Sequence, residues 1–214
     1  MEENVIFYDV NSLSELPKIE DENFRYLDFI GGTKEIRAFL IPISFPRKDF
    51  MIKYSNLIDN KLFAPIYDNK GILIATDTSF AVPGFYVLSY KDYINRCDNI
   101  SDNLMMRTGI LIKNLRKGMK EILNFECCAL FSEEKKNGAT PLHYWILPKY
   151  AELLEKGIDQ KFWTEDINKY LRSFKYSEYR DKMIECNEKM RQYFEDIDLK
   201  TKDNEIFNMT EKLK

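Results

Sequence analysis

The sequence predicts an α+β protein: an antiparallel five-stranded sheet with one central helix, an extra N-terminal β-hairpin and helices at the C-terminal end. Three observations carry that expectation. Strand-like runs come in clusters joined by short turn signals, one long amphipathic segment stands alone in the middle, and two more strand-like runs follow it before the chain turns helical. A parallel doubly wound sheet needs a crossover helix after nearly every strand, and this order does not supply them.

Residues 24–30 and 34–41 are rich in β-formers and flank Gly31-Gly32. Glycine accepts the positive φ of a tight turn, so the pair reads as the N-terminal hairpin, with Phe45-Pro46 closing it. Residues 62–67 and 72–76 flank Asp68-Asn69-Lys70-Gly71 and read as a second hairpin. A third strand, 85–90, follows Pro83-Gly84. Ser101-Asp102 can cap a helix running to about residue 123, because Leu104, Thr108, Leu111, Leu115, Met119 and Ile122 recur at three- and four-residue spacing. Lys113, Lys117 and Lys120 fall on the opposite, wet face. Strands 125–131 and 142–147 come next, separated by the polar loop 132–140. Beyond Pro148, Thr164 and Ser177 are N-cap candidates for helices near 165–174 and 178–196. The chain thus divides into a β-rich extension over 1–50, a core over 51–150 and a helical extension over 151–214, all expected in one globular unit.

With 214 residues, 44% hydrophobic and 14% aromatic, the chain can bury a substantial core and does not have the composition of a disordered protein. Its 32 basic and 35 acidic residues leave a net charge of −3, so no global field draws it to nucleic acid or an anionic membrane. The opening MEENVIFYDV lacks the basic and apolar regions of a signal peptide, and no window approaches about 18 uninterrupted apolar residues. The expectation is a cytoplasmic protein with no membrane partner. Cys97, Cys127, Cys128 and Cys186 show no metal-binding spacing and read as reduced thiols, with no metal and no cofactor expected.

The chemically informative stretch is Asn137-Gly138-Ala139-Thr140-Pro141-Leu142-His143-Tyr144-Trp145-Ile146-Leu147-Pro148-Lys149, which contains the one histidine of the chain. Alternate side chains of a strand share a face, so Pro141, His143, Trp145 and Leu147 point one way and Leu142, Tyr144 and Ile146 the other. A second stretch, residues 77–94, begins with Asp77, passes through Pro83-Gly84 and a strand, and reaches Lys91 before Asp92-Tyr93-Ile94.

Together the two stretches resemble the hallmarks of the histidine-triad (HIT-like) superfamily. One hallmark has three histidines at alternate positions of a core strand, followed by two apolar residues, proline and a basic residue. Here Pro141, His143 and Trp145 occupy the histidine positions, and Ile146-Leu147-Pro148-Lys149 matches the tail. The other runs from an aspartate through a short loop, proline-glycine and a strand to a lysine and a small helical turn. The resemblance spans about residues 60 to 150, and the degenerate triad is nearer the nucleotidyltransferase members than the three-histidine hydrolases.

What the resemblance implies is a nucleotide-binding protein, a nucleotidyltransferase or nucleotide phosphohydrolase, in which the middle histidine attacks a phosphate and forms a nucleotidyl-histidine. A neutral imidazole is a competent nucleophile near pH 7, provided that one nitrogen is held as a donor and the other aims at phosphorus. For His143 the backbone carbonyl of Pro141 can serve as the orienter. Pro141 and Trp145 cannot replace the lost outer histidines, since indole donates one hydrogen bond and accepts none. Trp145 is suited to stack on a base or narrow the pocket, or is simply a large apolar strand residue. Lys135, Lys136 and Thr140, with Ser132 at the start of the loop, are the candidate phosphate donors, although such a charge run also reads as a solvated turn. Asp77 stands where relatives bind the ribose hydroxyls; an aspartate at a strand end is also a common turn former. Lys149 completes the candidate substrate-binding set. The partner implied is a nucleotide or nucleotide-linked small molecule, and a homodimer through the central helix and an edge strand is the assembly the family adds. A catalytically inactive nucleotide-binding or protein-interaction module is the alternative to the enzyme.

Overall fold

The computed structural model describes residues 5–45, 47–132, 134, 141–150 and 169–200. Its first elements are β1 (Phe7–Val10), β2 (Phe24–Ile30), β3 (Ile36–Pro42), α1 (Arg47–Lys53) and α2 (Asn60–Phe63). There follow β4 (Tyr67–Asn69), β5 (Ile72–Thr76), β6 (Tyr86–Tyr90), α3 (Asp102–Glu121), β7 (Cys128–Ser132), β8 (His143–Pro148) and α4 (Tyr176–Lys200). The described residues within Met1–Ala64, Asp77–Pro83 and Trp163–Ile184 form one compact unit. Those within Pro65–Thr76, Gly84–Phe162 and Glu185–Lys214 form a second.

The first unit holds a three-stranded antiparallel sheet in the order β1-β3-β2. Its predicted hairpin forms with Ile30 opposite Ile36, and Gly31 and Gly32 between them take φ of +111° and +100°. Strand β1 is an addition to that hairpin, pairing along β3 from Phe7 opposite Phe39 to Val10 opposite Ile36. Aromatic side chains fill the core, with the rings of Phe39 and Phe50 4.7 Å apart. Ser177, a predicted N-cap, is instead the second residue of α4. The Tyr176 N–H and the Ser177 hydroxyl both donate to the Glu35 carboxylate at 2.5 Å, so the acceptor for this helix start comes from the hairpin turn. Thr164 lies outside the described residues.

The strand expected over 62–67 is largely something else. Leu62 and Phe63 lie in α2, where the Asp59 side chain accepts the Leu62 N–H at 3.4 Å, and only Tyr67 belongs to a strand. Pro65 has no N–H to give a ladder, which favours a strand start beyond it. The next turn is tighter than its four-residue signal, because Asn69 pairs with Ile72 and only Lys70 and Gly71 form the loop. Both have positive φ, 49° and 84°, as a two-residue type I′ hairpin requires.

The second unit carries the five-stranded sheet, in the order β4-β5-β6-β8-β7 with every neighbouring pair antiparallel. Helix α3 starts where the Ser101 side chain accepts the Leu104 N–H, and it buries Thr108, Leu111, Leu115 and Met119. Leu111, Leu115 and Met119 share a core with Ile72, Ile74, Leu88 and Ile146 from the sheet. Burying a side chain of this size contributes about 1.5–3 kcal/mol, so the apolar stripe is sufficient to fix which face the helix covers. Ile122, predicted on the same stripe, is the C-cap and 38% exposed, because the helix has already ended. Strand β7 begins at Cys128, three residues later than its apolar run. The Arg116 guanidinium occupies the Phe125 and Glu126 carbonyls at 3.3 and 3.0 Å. The later turns of α4 complete this core with Met190 and Phe194, and the buried Thr76 hydroxyl donates to Asn187 Oδ1 at 2.8 Å. Among the described residues no helix is long and apolar enough to cross a membrane.

Candidate functional site

Strand β8 lies inside the sheet, between β6 and β7, and its alternation divides the informative stretch as the sequence predicts. Leu142 and Ile146 are buried in the core beneath α3, with Tyr144 packed against them. His143 and Trp145 occupy the opposite face and are partly buried. Across the ladders, Ser89 of β6 stands opposite His143, Val87 opposite Trp145, and Phe131 of β7 opposite Trp145 on its other side.

The His143 ring is held from two directions. Its Nδ1 lies 2.7 Å from the Pro141 carbonyl oxygen. A carbonyl can only accept, so Nδ1 carries the proton, and in the neutral ring Nε2 then bears the lone pair. The backbone of residue 141 thus supplies the orienter that its side chain cannot. The second restraint is Trp145, whose ring meets the imidazole edge to face with centroids 4.1 Å apart and an interplanar angle of 78°. Phe131 in turn stacks on Trp145 at 5.0 Å and 25°.

Ser132 ends β7 opposite Tyr144, and its hydroxyl donates to the His143 carbonyl at 2.8 Å. A serine hydroxyl has one proton, so here it ties β7 to β8 rather than reaching outward. Lys149 follows β8; its N–H donates to the Cys127 carbonyl at 2.9 Å, which fixes its backbone. The neighbouring Glu134 carboxylate accepts the Cys97 N–H at 2.7 Å. Lys135, Lys136 and Thr140 lie outside the described residues.

Asp77 belongs to the first unit. There it is 7% exposed, and its Oδ1 accepts the Ser79 and Phe80 N–H groups at 2.8 and 3.1 Å, the geometry of an aspartate that organises a turn.

On the helix side of β8, burial raises the Tyr144 phenol well above its ordinary range, with Tyr90 and Cys97 adding to the effect. Tyr90 itself shares a 3.0 Å hydrogen bond with Thr108. These hydroxyls belong to the core and stand on the face away from His143. The four cysteines are thiols rather than disulfides, and burial pushes that of Cys128 up to about 11. Among the described residues no group of three or more His, Cys, Asp or Glu side chains could hold a metal ion.

The residue that sequence reasoning missed is Phe131. The run 125–131 marks it as apolar, but its place beside Trp145 follows from the β7–β8 register, which no short turn between the two strands fixes.

No protein-family model matches the chain, and no curated protein matches it. Among solved structures, the chain is similar to a HIT-like protein involved in cell-cycle regulation from Bartonella henselae, at 11% identity and a TM-score of 0.45, covering 69% of this chain and 95% of that one. It is similar to a hypothetical histidine triad nucleotide-binding protein from Sulfolobus tokodaii at 11% identity and a TM-score of 0.47, over 72% and 95% of the two chains. A zinc-bound histidine triad family protein from Mycobacterium smegmatis is similar at 12% identity and a TM-score of 0.46, over 70% and 94%.

Proposed function

We propose that the chain binds a nucleotide or nucleotide-linked small molecule against the β7–β8 face and transfers or hydrolyses its nucleotidyl group through His143. The observation that carries this reading is the 2.7 Å contact between His143 Nδ1 and the Pro141 carbonyl. It leaves the lone pair on Nε2 of the only imidazole in the chain, which supports His143 as the nucleophile.

In the reaction, the Nε2 lone pair forms a bond to phosphorus while the phosphorus–oxygen bond to the leaving group breaks, and that oxygen departs with the bonding electrons. The imidazole retains its Nδ1 proton and becomes a nucleotidyl-imidazolium. Its hydrogen bond to the Pro141 carbonyl is then charge-assisted and stronger than in the resting state, so it stabilises the intermediate more than the free enzyme. Water or another hydroxyl acceptor attacks phosphorus and gives up its proton to solvent, while the breaking nitrogen–phosphorus bond returns its electron pair to Nε2. Lys135, Lys136, Thr140 and Lys149 are the residues we assign to the phosphate charge, Ser132 to the tie between the ends of β7 and β8, and Trp145 to the narrowing of the pocket.

The test is intact-mass spectrometry at alkaline pH after incubation with nucleoside polyphosphates. An acid-labile nucleotidyl adduct is expected on the wild type and none on His143→Ala. Turnover should fall by about 10³-fold or more in the variant, the scale of losing a nucleophile, while ground-state affinity changes little. Equal hydrolysis by the two proteins would remove the assignment.

The second reading, binding without turnover, is favoured by the replacement of both outer histidines with Pro141 and Trp145. It predicts nucleotide binding with no adduct under any condition, and only a modest change in affinity for His143→Ala.

A further inference from the structure

We infer that Trp145 is a positioning residue that fixes the plane of the His143 imidazole, with Phe131 backing it from the neighbouring strand. The edge-to-face contact at 4.1 Å and 78° and the stack at 5.0 Å and 25° form one continuous row of rings across β7 and β8.

Orientation of the imidazole needs two restraints. The hydrogen bond to the Pro141 carbonyl selects which nitrogen carries the proton, but a single hydrogen bond on a strand surface leaves the ring free to rock about its Cβ–Cγ bond. With a perpendicular indole 4.1 Å away, that rotation drives an edge of one ring into the other. A ring pair of this kind shifts an equilibrium roughly two- to ten-fold. The indole is itself held against rotation by Phe131, which the β7–β8 register places directly opposite it. Trp145 therefore acts on the geometry of attack through another side chain, without touching phosphorus. Small displacements of a nucleophile are costly in rate, on the order of 100-fold for about 1 Å. The catalytic part of this inference rests on His143 being the nucleophile; the conformational part does not.

Because the chain has one histidine, ¹⁵N-histidine labelling gives an unambiguous view of the ring in the protein without nucleotide. At alkaline pH the wild type should show the Nδ1–H tautomer predominating, with imidazole proton resonances displaced by the indole ring current and nuclear Overhauser contacts to it. In Trp145→Leu, the amide spectrum reports folding, and the tautomers should become mixed with the ring-current displacement lost. Trp145→Phe should retain most of the wild-type pattern, since it keeps an aromatic face in place. With a substrate found by the adduct assay, Trp145→Leu should lower kcat about two- to ten-fold with KM nearly unchanged, and Trp145→Phe should recover most of the loss.

A folded Trp145→Leu protein with an unchanged tautomer ratio and unchanged kcat overturns the inference. So does a wild type without indole contacts to the imidazole, a measurement that needs no variant. A wild type that never forms an adduct, with a tautomer ratio that Trp145→Leu still shifts, supports Trp145 as the orienting residue and counts against the nucleophile reading alone.

Discussion

Asp9 illustrates how much one side chain can organise. Its carboxylate accepts the Arg37 guanidinium in a bidentate pair at 2.7 Å, and the Thr33 N–H and hydroxyl at 2.9 and 2.7 Å. The same carboxylate is what a Cβ at Gly32 would strike, so glycine is needed there both for its φ and for its size. The Arg37 hydrogen bonds hold the Asp9 carboxyl well below the usual carboxylate range against an opposing push from burial. A folded pKa below the unfolded value of 3.8 means that the pair's contribution is complete above that pH and shrinks as pH falls from there toward the folded value. Both side chains are largely covered, 19% and 11% exposed for Arg37 and Asp9, so Asp9→Asn should cost about 2–3 kcal/mol at pH 7. Urea unfolding of wild type and variant at pH 7 and pH 3 checks this. The gap should narrow at pH 3, and a gap that widens on acidification would mean that the charge on Asp9 is not what stabilises the turn.

At the scale of elements, α3 offers an internal comparison, because it carries two glycines in one helix with opposite surroundings. Nothing lies within 4 Å of a Cβ built on the exposed Gly109, whereas one on Gly118 would come within 2.7 Å of the Met190 methyl and the Tyr193 ring. Helix propensity favours alanine over glycine by about 1 kcal/mol at either position. Overpacking opposes it only at Gly118, by about 1–3 kcal/mol, because the tyrosine ring cannot fold away as a methionine end can. Gly109→Ala should therefore stabilise the protein by about 0.5–1 kcal/mol, and Gly118→Ala should destabilise it by about 1 kcal/mol. Denaturant midpoints for both variants decide it, and a stabilised Gly118→Ala would show that Met190 and Tyr193 of α4 give way to a Cβ at Gly118. This helix is also where the sequence was most legible. Its cap and apolar stripe are local signals, and the β2–β3 and β4–β5 turns are equally local. The orientation of His143 was legible for the same reason, since its partner carbonyl is two residues away. What was hidden depends on distant groups: the Glu35 carboxylate that meets the start of α4, the Arg116 hydrogen bonds that delay β7, and the register that sets Phe131 beside Trp145. The missed turn of α2 had a signal in Asp59 and Pro65, but the apolar run around them reads equally as strand.

For the whole molecule, the consequence of this architecture is that each compact unit draws on segments far apart in the chain. The five-stranded sheet and α3 come from residues 65–148, yet their core includes Met190 and Phe194 from α4. Asn187, 1% exposed, is the partner of the Thr76 hydroxyl. Removing α4 would leave that hydroxyl without its acceptor, open the groove that the small Gly118 provides for Met190 and Tyr193, and uncover the Tyr67 ring of β4 that packs against Phe194. Large-to-small replacements at a single buried methionine or phenylalanine cost about 2–5 kcal/mol each, and whole-domain stability is only about 5–15 kcal/mol. Losing both side chains together with a buried hydrogen bond is therefore enough to abolish native packing of the sheet. A chain ending at residue 175 should lack cooperative urea unfolding and the dispersed amide spectrum of a packed core. Met190→Ala in the full chain should lower stability by about 2–4 kcal/mol while keeping the transition cooperative. If the shortened chain unfolds with the midpoint of the full-length protein, the five-stranded sheet is self-sufficient and α4 is an appendage rather than part of its core.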